Sequence, residues 1–406
     1  MYLSTQHHLT YCTNIHPGAH WHEVMQALDN FIPPTRQAVS PEQPFGIGLR
    51  LSHLASEALL HKDRLEKFRA WLERHHCYVF TINGFPYGGF HHQVVKASVH
   101  EPDWTRPERL HYTLRLLHIL AKLLPEGMEG GVSTSPLSYR LWHSDAPSFR
   151  LVYEQATQQL AQIAAHLYKT YQDTGKVLHV DLEPEPDGLL ENAQDVTHYF
   201  HEWLLPLGTK YLQNQLGLSS QEADHAIRQH IQVCYDICHF AVVYADPEKV
   251  FAAWQAAGIR IGKIQISSAL KAELPPDPGN RSPIIDALTG LVEPTYLHQV
   301  VTHTEEGALV HYADLPEALP HMQDSNMRDC RIHFHVPIFL PAYGILSATQ
   351  EDIIRVLAMI QQVPSTQHLE VETYTWEVLP ITIRTALGAS IIRELRWVQD
   401  KLTSYA

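Results

Sequence analysis

The chain has 406 residues, 45% of them hydrophobic and 18% charged, enough apolar material to bury one large core over residues 1–406. Its formal net charge of -14 argues against nucleic acid as a partner, because phosphate recognition draws on a basic face. Five scattered cysteines (Cys12, Cys77, Cys234, Cys238, Cys330) make no disulfide framework, no basic-then-apolar leader opens the sequence, and no stretch approaches the roughly 18 apolar residues of a membrane span, so a cytoplasmic protein is expected.

Strand-like and helix-like segments alternate along the whole chain. His8–Ile15 reads as a strand, followed by a helix from Trp21 to Phe31 that Pro33 and Pro34 should stop. Phe45–Leu51 is a second strand, and apolar residues at helical spacing between Leu54 and His75 predict a long amphipathic helix. Cys77–Ile82 runs into a glycine-rich loop at 83–89 that matches neither dinucleotide nor phosphate-loop signatures. A helix from Arg106 to Leu124, a weak strand at Gly130–Pro136 and a helix from Phe149 to Tyr171 follow.

The fifth strand, within Lys176–Gly188, stops in a run of carboxylates and prolines: Glu183, Pro184, Glu185, Pro186, Asp187. A helix over 193–216, a strand at Ile231–His239, a helix over 247–257 and a strand at Arg260–Ile266 complete seven units. Residues 273–330 are proline-rich and read as an irregular insertion or lid. Arg331–Val336 and His368–Tyr374 are strand-like, with helices at Gln350–Gln361 and Ile381–Leu402. Nine strand candidates exceed the eight of a barrel, and Arg331–Val336 is the extra one. The fold expected is α/β, a (β/α)8 TIM barrel with its insertion after strand seven, since no dinucleotide fingerprint supports an open doubly wound sheet.

Barrel active sites gather at the carboxyl ends of the strands. The polar residues expected there are Glu183 and Glu185, Asp236 and His239, Gln265 and the slightly later Lys271, and Glu372. His333 and His335, two apart, share a face if extended, and Asn14 and His16 close the first strand. Three carboxylates from separate strands repel one another unless a divalent cation, Mn²⁺, Mg²⁺ or Zn²⁺, neutralises them. Each of these residues also has a plain reading, as a solvated carboxylate or a packed histidine.

Glu183, Asp236-x-x-His239, Gln265 within Lys263–Ile266, and Glu372 together resemble the xylose isomerase-like TIM-barrel superfamily of sugar isomerases, ketose epimerases and endonuclease IV-type nucleases. The resemblance implies a divalent metal held by Glu183, Asp236, Glu372 and a fourth ligand. The residue expected there is histidine, whereas this chain has Gln265, a weaker ligand that His333 or His335 could replace. It also places His239 and the basic substrate-binding Lys271; position at the mouth adds His16, Glu185, His333 and His335 as substrate contacts, and in an isomerase Glu183 or Glu372 would move the proton. Leu9–Gly18, Val99–Trp104 and Val180–Gly188 further resemble the EboE family of bacterial metabolite-traffic proteins, which implies a small metabolite and protein partners from the same gene cluster. Three functions are therefore expected in order: a metal-dependent sugar isomerase or epimerase, a non-catalytic metabolite carrier, and a nuclease.

Overall fold

In the computed structural model, which describes residues 1–91, 94–378 and 386–403, seven parallel strands precede the insertion: β1 (His8–Tyr11), β2 (Phe45–Arg50), β3 (Cys77–Asn83), β4 (Gly130–Thr134), β5 (Leu178–Leu182), β6 (Ile231–Asp236) and β7 (Ile261–Ile266). The segment after β7 carries six more: β8 (Leu270–Glu273), β9 (Val300–Thr304), β10 (Leu309–Tyr312), β11 (Met327–Ile332), β12 (Ala342–Tyr343) and β13 (Leu346–Ala348). A last parallel strand, β14 (His368–Val371), inserts between β1 and β7. The parallel sheet runs β1-β14-β7-β6-β5-β4-β3-β2, and a parallel bridge from Cys12 to Gly48 brings its two edges together. Every strand of this sheet is buried along nearly its whole length, as expected where helices cover the outside and side chains fill the lumen.

The insertion sits after β7, as the sequence predicts, but it is more regular and wider than its prolines suggest. Its strands form one antiparallel sheet in the order β10-β9-β11-β8-β13-β12, from Leu270 to Ala348. The extra strand candidate at 331–336 belongs here: its first residues extend β11, and His333–Val336 continue without strand pairing toward the barrel mouth. Two helix expectations change. The first helix runs Trp21–Val39 straight through Pro33 and Pro34. The carbonyls those prolines leave without an i+4 donor belong to exposed Asp29 and Asn30, on the solvent side, while Ile32, Thr35 and Val39 are buried. The helix predicted over 54–75 is two, His53–Leu59 and Arg64–Arg74, divided by a turn with Lys62 at φ 59. The start of the last predicted helix, 381–385, lies outside the described residues, and its body runs Leu387–Thr403.

The lumen is unusually polar. His179 and Asp181 on β5 are fully buried and 2.6 Å apart, and Lys263 on β7 donates to Glu370 at 2.6 Å and to Ser133 at 3.0 Å. Gly48 and Gly262 are required by this layer, since a Cβ at either would collide with Glu370 or Asp181.

The final helix contributes Glu394, whose Oε1 accepts from Thr373 Oγ1 at 2.8 Å and from the Ile338 amide at 3.2 Å. Burial pushes its carboxyl up to about 7, despite those two donors. A carboxyl raised in the folded state stabilises below its unfolded pKa and loses that contribution as pH rises toward the folded value, here between about 4.5 and 7. Glu394→Gln keeps the acceptor oxygen and removes the charge. Urea unfolding is expected to find the variant more stable by roughly 1–3 kcal/mol at pH 8 and unchanged at pH 4.5. Equal stabilities at pH 8 would contradict this account.

Candidate metal centre at the barrel mouth

β5 delivers its carboxylates because the chain cannot continue as a strand past Pro184. The Glu183 amide still donates to the Thr134 carbonyl at 2.9 Å, so its side chain is held at the rim in register with β4. β6 ends at Asp236, and His239 lies not on the strand, as expected, but in the first turn of a short helix, Ile237–Val242. Asp236 caps that helix, its Oδ1 accepting from the His239 amide at 2.9 Å and from Ser267 Oγ at 2.7 Å. Glu372 follows β14, with Oε1 accepting from Asn14 Nδ2 at 2.6 Å and Asn83 Nδ2 at 3.2 Å.

These anchors bring one carboxylate oxygen each from Glu183, Asp236 and Glu372 within 4.8 Å of one another, all three residues buried. Asp236 Oδ2 and Glu183 Oε2 are buried and have no hydrogen-bond partner among the described residues. Burial, then Glu372 and Asp236, raises the Glu183 carboxyl well above the usual range, against the opposing pull of Lys263. Glu185 is raised in the same way by burial, Asp236 and Asp187, and lies 3.0 Å from His100 Nε2. Such a group of buried acids is stable either protonated or around a cation.

A histidine cluster adjoins the acids. His239 Nδ1 donates to the Pro184 carbonyl at 2.9 Å, and His335 Nδ1 to the Glu372 carbonyl at 3.1 Å. His333 Nδ1 donates to Gln299 Oε1 at 2.7 Å, an orientation set by Gln299 Nε2 donating to the Pro186 carbonyl at 3.0 Å. With the Nδ1 protons of His239 and His333 so placed, their Nε2 atoms are acceptors. Burial holds His239 down to about 3 and His333 well below its ordinary value, so both rings are neutral at pH 7. His333 Nε2 lies 3.3 Å from His335 Nε2 and 3.3 Å from the Tyr374 hydroxyl. Imidazoles whose outer N–H is held by an oxygen while the inner nitrogen converges on acids have the arrangement of metal ligands. Asp236, His239 and His335 form one convergent group, and Glu185, His239 and His333 another.

A cavity of about 50 Å³ touches Glu183, Glu185, His239, His333 and Glu372. Phe90, Tyr296 and Tyr374 roof it, with ring centroids 5.0–5.3 Å apart. Lys96 also lines it, its ammonium engaged by Asp314 at 2.6 Å. An outer groove of about 740 Å³, lined by Tyr87, Asp103, Arg106 and Trp142, shares Pro86, Val95 and Val99 with this cavity.

No family model matches the sequence, and no curated protein does. Among solved structures the chain is similar to a xylose isomerase-like TIM barrel protein from Mycobacterium smegmatis in complex with magnesium, at 11% identity and TM-score 0.52 over 100% of both chains. The fold is that of the xylose isomerase-like TIM barrels. A zinc-bound IolI protein aligns at 10% identity and TM-score 0.47 over 98% of this chain and 99% of that one. The probable 3-DHS dehydratase AsbF from Bacillus anthracis aligns at 11% and 0.42, over 96% and 97%.

On this xylose isomerase-like barrel the remaining expected site residues fall in different places. Gln265 is fully buried beside Asp236, but its Oε1 accepts from Cys234 Sγ at 3.1 Å. Lys271 lies on β8 with its ammonium 3.2 Å from Glu273, away from the cavity lining. His16 is packed against Phe31 at 4.2 Å between centroids and paired with Tyr11 Oη at 3.0 Å, whereas its neighbour Asn14 reaches Glu372. Asn83, His100, Gln299 and Tyr374 join the site without having been expected there. Asn83 ends a strand and had that much signal; His100 and Tyr374 sit in short 3-10 turns and Gln299 on a loop.

Proposed function

We propose that this protein is a divalent-metal-dependent enzyme of isomerase or epimerase type, acting on a small polyhydroxylated or carbonyl metabolite. One observation carries the reading: three buried carboxylates from three strands converge beside inward-facing imidazole nitrogens. The donor set fits a divalent ion. Asp236 Oδ2 and Glu183 Oε2 are orphaned, the acids outnumber nearby cations, and oxygen with imidazole suits Mn²⁺, Mg²⁺ or Zn²⁺. Glu183, Asp236 and Glu372 would hold it, with His335, which converges with Asp236 and His239, the better fourth partner, because Gln265 has its oxygen occupied. Such an ion supplies Lewis acidity toward neighbouring substrate oxygens.

The chain's own groups then divide the work. Glu183 or Glu372 takes the proton from carbon next to the carbonyl. Glu185, kept protonated by its burial, holds a proton for return, with His100 Nε2 3.0 Å away. Asn14 and Asn83 hold Glu372 in place. The aromatic side chains narrow the cavity, whose small volume requires Phe90, Tyr296 or Tyr374 to move for a substrate to come in from the outer groove.

The three segments that resemble the EboE family all border this site, through Asn14, His100 and Glu183, which favours a metabolite-processing role alongside proteins of such a cluster. A carrier without catalysis is the second reading, favoured by the engaged amide of Gln265. A nuclease fits a cavity of about 50 Å³ poorly.

The test is elemental analysis of the purified protein, followed by incubation with candidate ketoses in D₂O. Bound metal, and metal-dependent deuterium uptake next to the carbonyl that disappears in Glu183→Gln, are expected. A protein with no affinity for Mn²⁺, Mg²⁺ or Zn²⁺ would remove the enzyme reading in favour of the carrier.

A further inference from the structure

On the outer side of the loop that follows β5, a second group of ligand atoms joins the barrel to the insertion. Asp187, Glu191 and the β10 residue His311 each place one such atom within 4.8 Å of the other two. The group is built rather than incidental. Asp187 is 8% exposed, and its Oδ2 is buried without a hydrogen-bond partner among the described residues. Its backbone is held in the left-handed region at φ 59, with its amide donating to Glu191 Oε1 at 2.9 Å and its carbonyl accepting from the Arg140 amide at 2.8 Å. His311 Nδ1 approaches the same Glu191 oxygen at 3.6 Å from the insertion side. Arg140, the nearest cation, spends its guanidinium on Asp195 at 2.6 Å and on the Gly188 and Leu189 carbonyls.

We propose that Asp187, Glu191 and His311 bind a divalent metal ion that clips the β9–β10 hairpin of the insertion to the loop carrying Glu185. Atoms within 4.8 Å of one another lie no more than about 2.8 Å from a common centre, so small rotations bring them to the 2.0–2.2 Å of zinc–oxygen and zinc–nitrogen bonds. Two carboxylates with one imidazole favour zinc or manganese over calcium. The half-exposed His311 leaves the remaining coordination positions to water. The site is distinct from the centre at the mouth: it shares no residue with it, and one of its three ligands comes from the insertion alone.

The clip has a consequence for the mouth. Gln299, which directly precedes β9, donates to the Pro186 carbonyl and orients His333, so an ion fastening β10 to the Asp187 loop also steadies these contacts.

The experiment uses the full chain with Zn²⁺ as probe. Zinc stoichiometry by equilibrium dialysis is measured for wild type, Glu191→Gln, His311→Ala and the mouth variant Asp236→Asn, with hydrogen exchange over residues 307–312. Expected are one zinc fewer, or at least tenfold weaker binding of one zinc, in Glu191→Gln and His311→Ala, and retention of that ion in Asp236→Asn. Zinc should slow exchange of the hairpin in wild type and not in His311→Ala. His311 is exposed on a hairpin strand, so loss of folding does not confuse the result. Equal zinc counts and affinities in wild type and His311→Ala would overturn the proposal, as would an anomalous zinc map without a peak between Asp187 and His311.

Discussion

Glu372→Gln is expected to stabilise the metal-free protein and destabilise the metal-loaded one. Without a cation, Glu183, Asp236 and Glu372 crowd their charges into a buried space, and Glu183 is raised well above its usual range by burial and then by Glu372. A carboxyl raised in this way contributes stability below about 4.5, its unfolded value, and loses it as pH rises toward the folded one. Replacing Glu372 by its amide removes the largest charge acting on Glu183, while the amide oxygen can still accept from Asn14 and Asn83. At pH 8 in EDTA the gain should be roughly 1–3 kcal/mol. With Mn²⁺ present, the same change deletes a ligand, and metal affinity should fall ~100-fold or more. Urea unfolding under both conditions, with calorimetric titration of Mn²⁺, reads both signs. If the variant is destabilised in EDTA as well, the three carboxylates are not a mutually repelling set and the metal centre loses its physical basis.

Lys263→Met should carry the largest stability cost of any substitution in the lumen. Burial is the largest single influence and opposes a charge on Lys263, but Glu370, at 2.6 Å and as fully buried as the lysine, together with Cys234, Glu183 and Cys12 outweighs it and holds the ammonium protonated. Removing the lysine strands Glu370 in the layer beneath the site, at a cost of about 3–5 kcal/mol. Lys263→Met with Glu370→Leu replaces the whole pair by apolar groups and should recover most of that loss. The single variant also withdraws the one lysine that favours ionised Glu183, so metal uptake should shift to higher pH. Chemical denaturation of the three proteins separates these outcomes. A single variant within about 0.5 kcal/mol of wild type would mean that the buried pair contributes little.

Much of the candidate site was legible because barrel geometry is so restrictive. Once alternating strands and helices imply a parallel barrel, any carboxylate at the carboxyl end of a strand must face the mouth, and Glu183, Asp236 and Glu372 follow from position alone. The same rule misleads where position is not orientation. Lys271 comes just after β7, yet β8 has already turned into the antiparallel sheet and carries it to Glu273. His16 sits two residues past Asn14, but a 3-10 turn at Thr13–Ile15 points it at Phe31. Gln265 is on the expected strand and face, and only the neighbouring Cys234 decides where its amide oxygen goes.

The sequence by itself therefore determined the barrel, the place of the insertion and the acids at the rim, because these depend on periodicity and on where prolines end strands. Only the tertiary structure decided that prolines 33 and 34 stay inside a helix and that residues 273–330 supply strands to an antiparallel sheet. It alone turned His239, His333 and His335 so that their inner nitrogens converge. Those outcomes rest on which carbonyls face water and which oxygens hold each Nδ1 proton. Such contacts join residues up to hundreds of positions apart, and no local pattern encodes them.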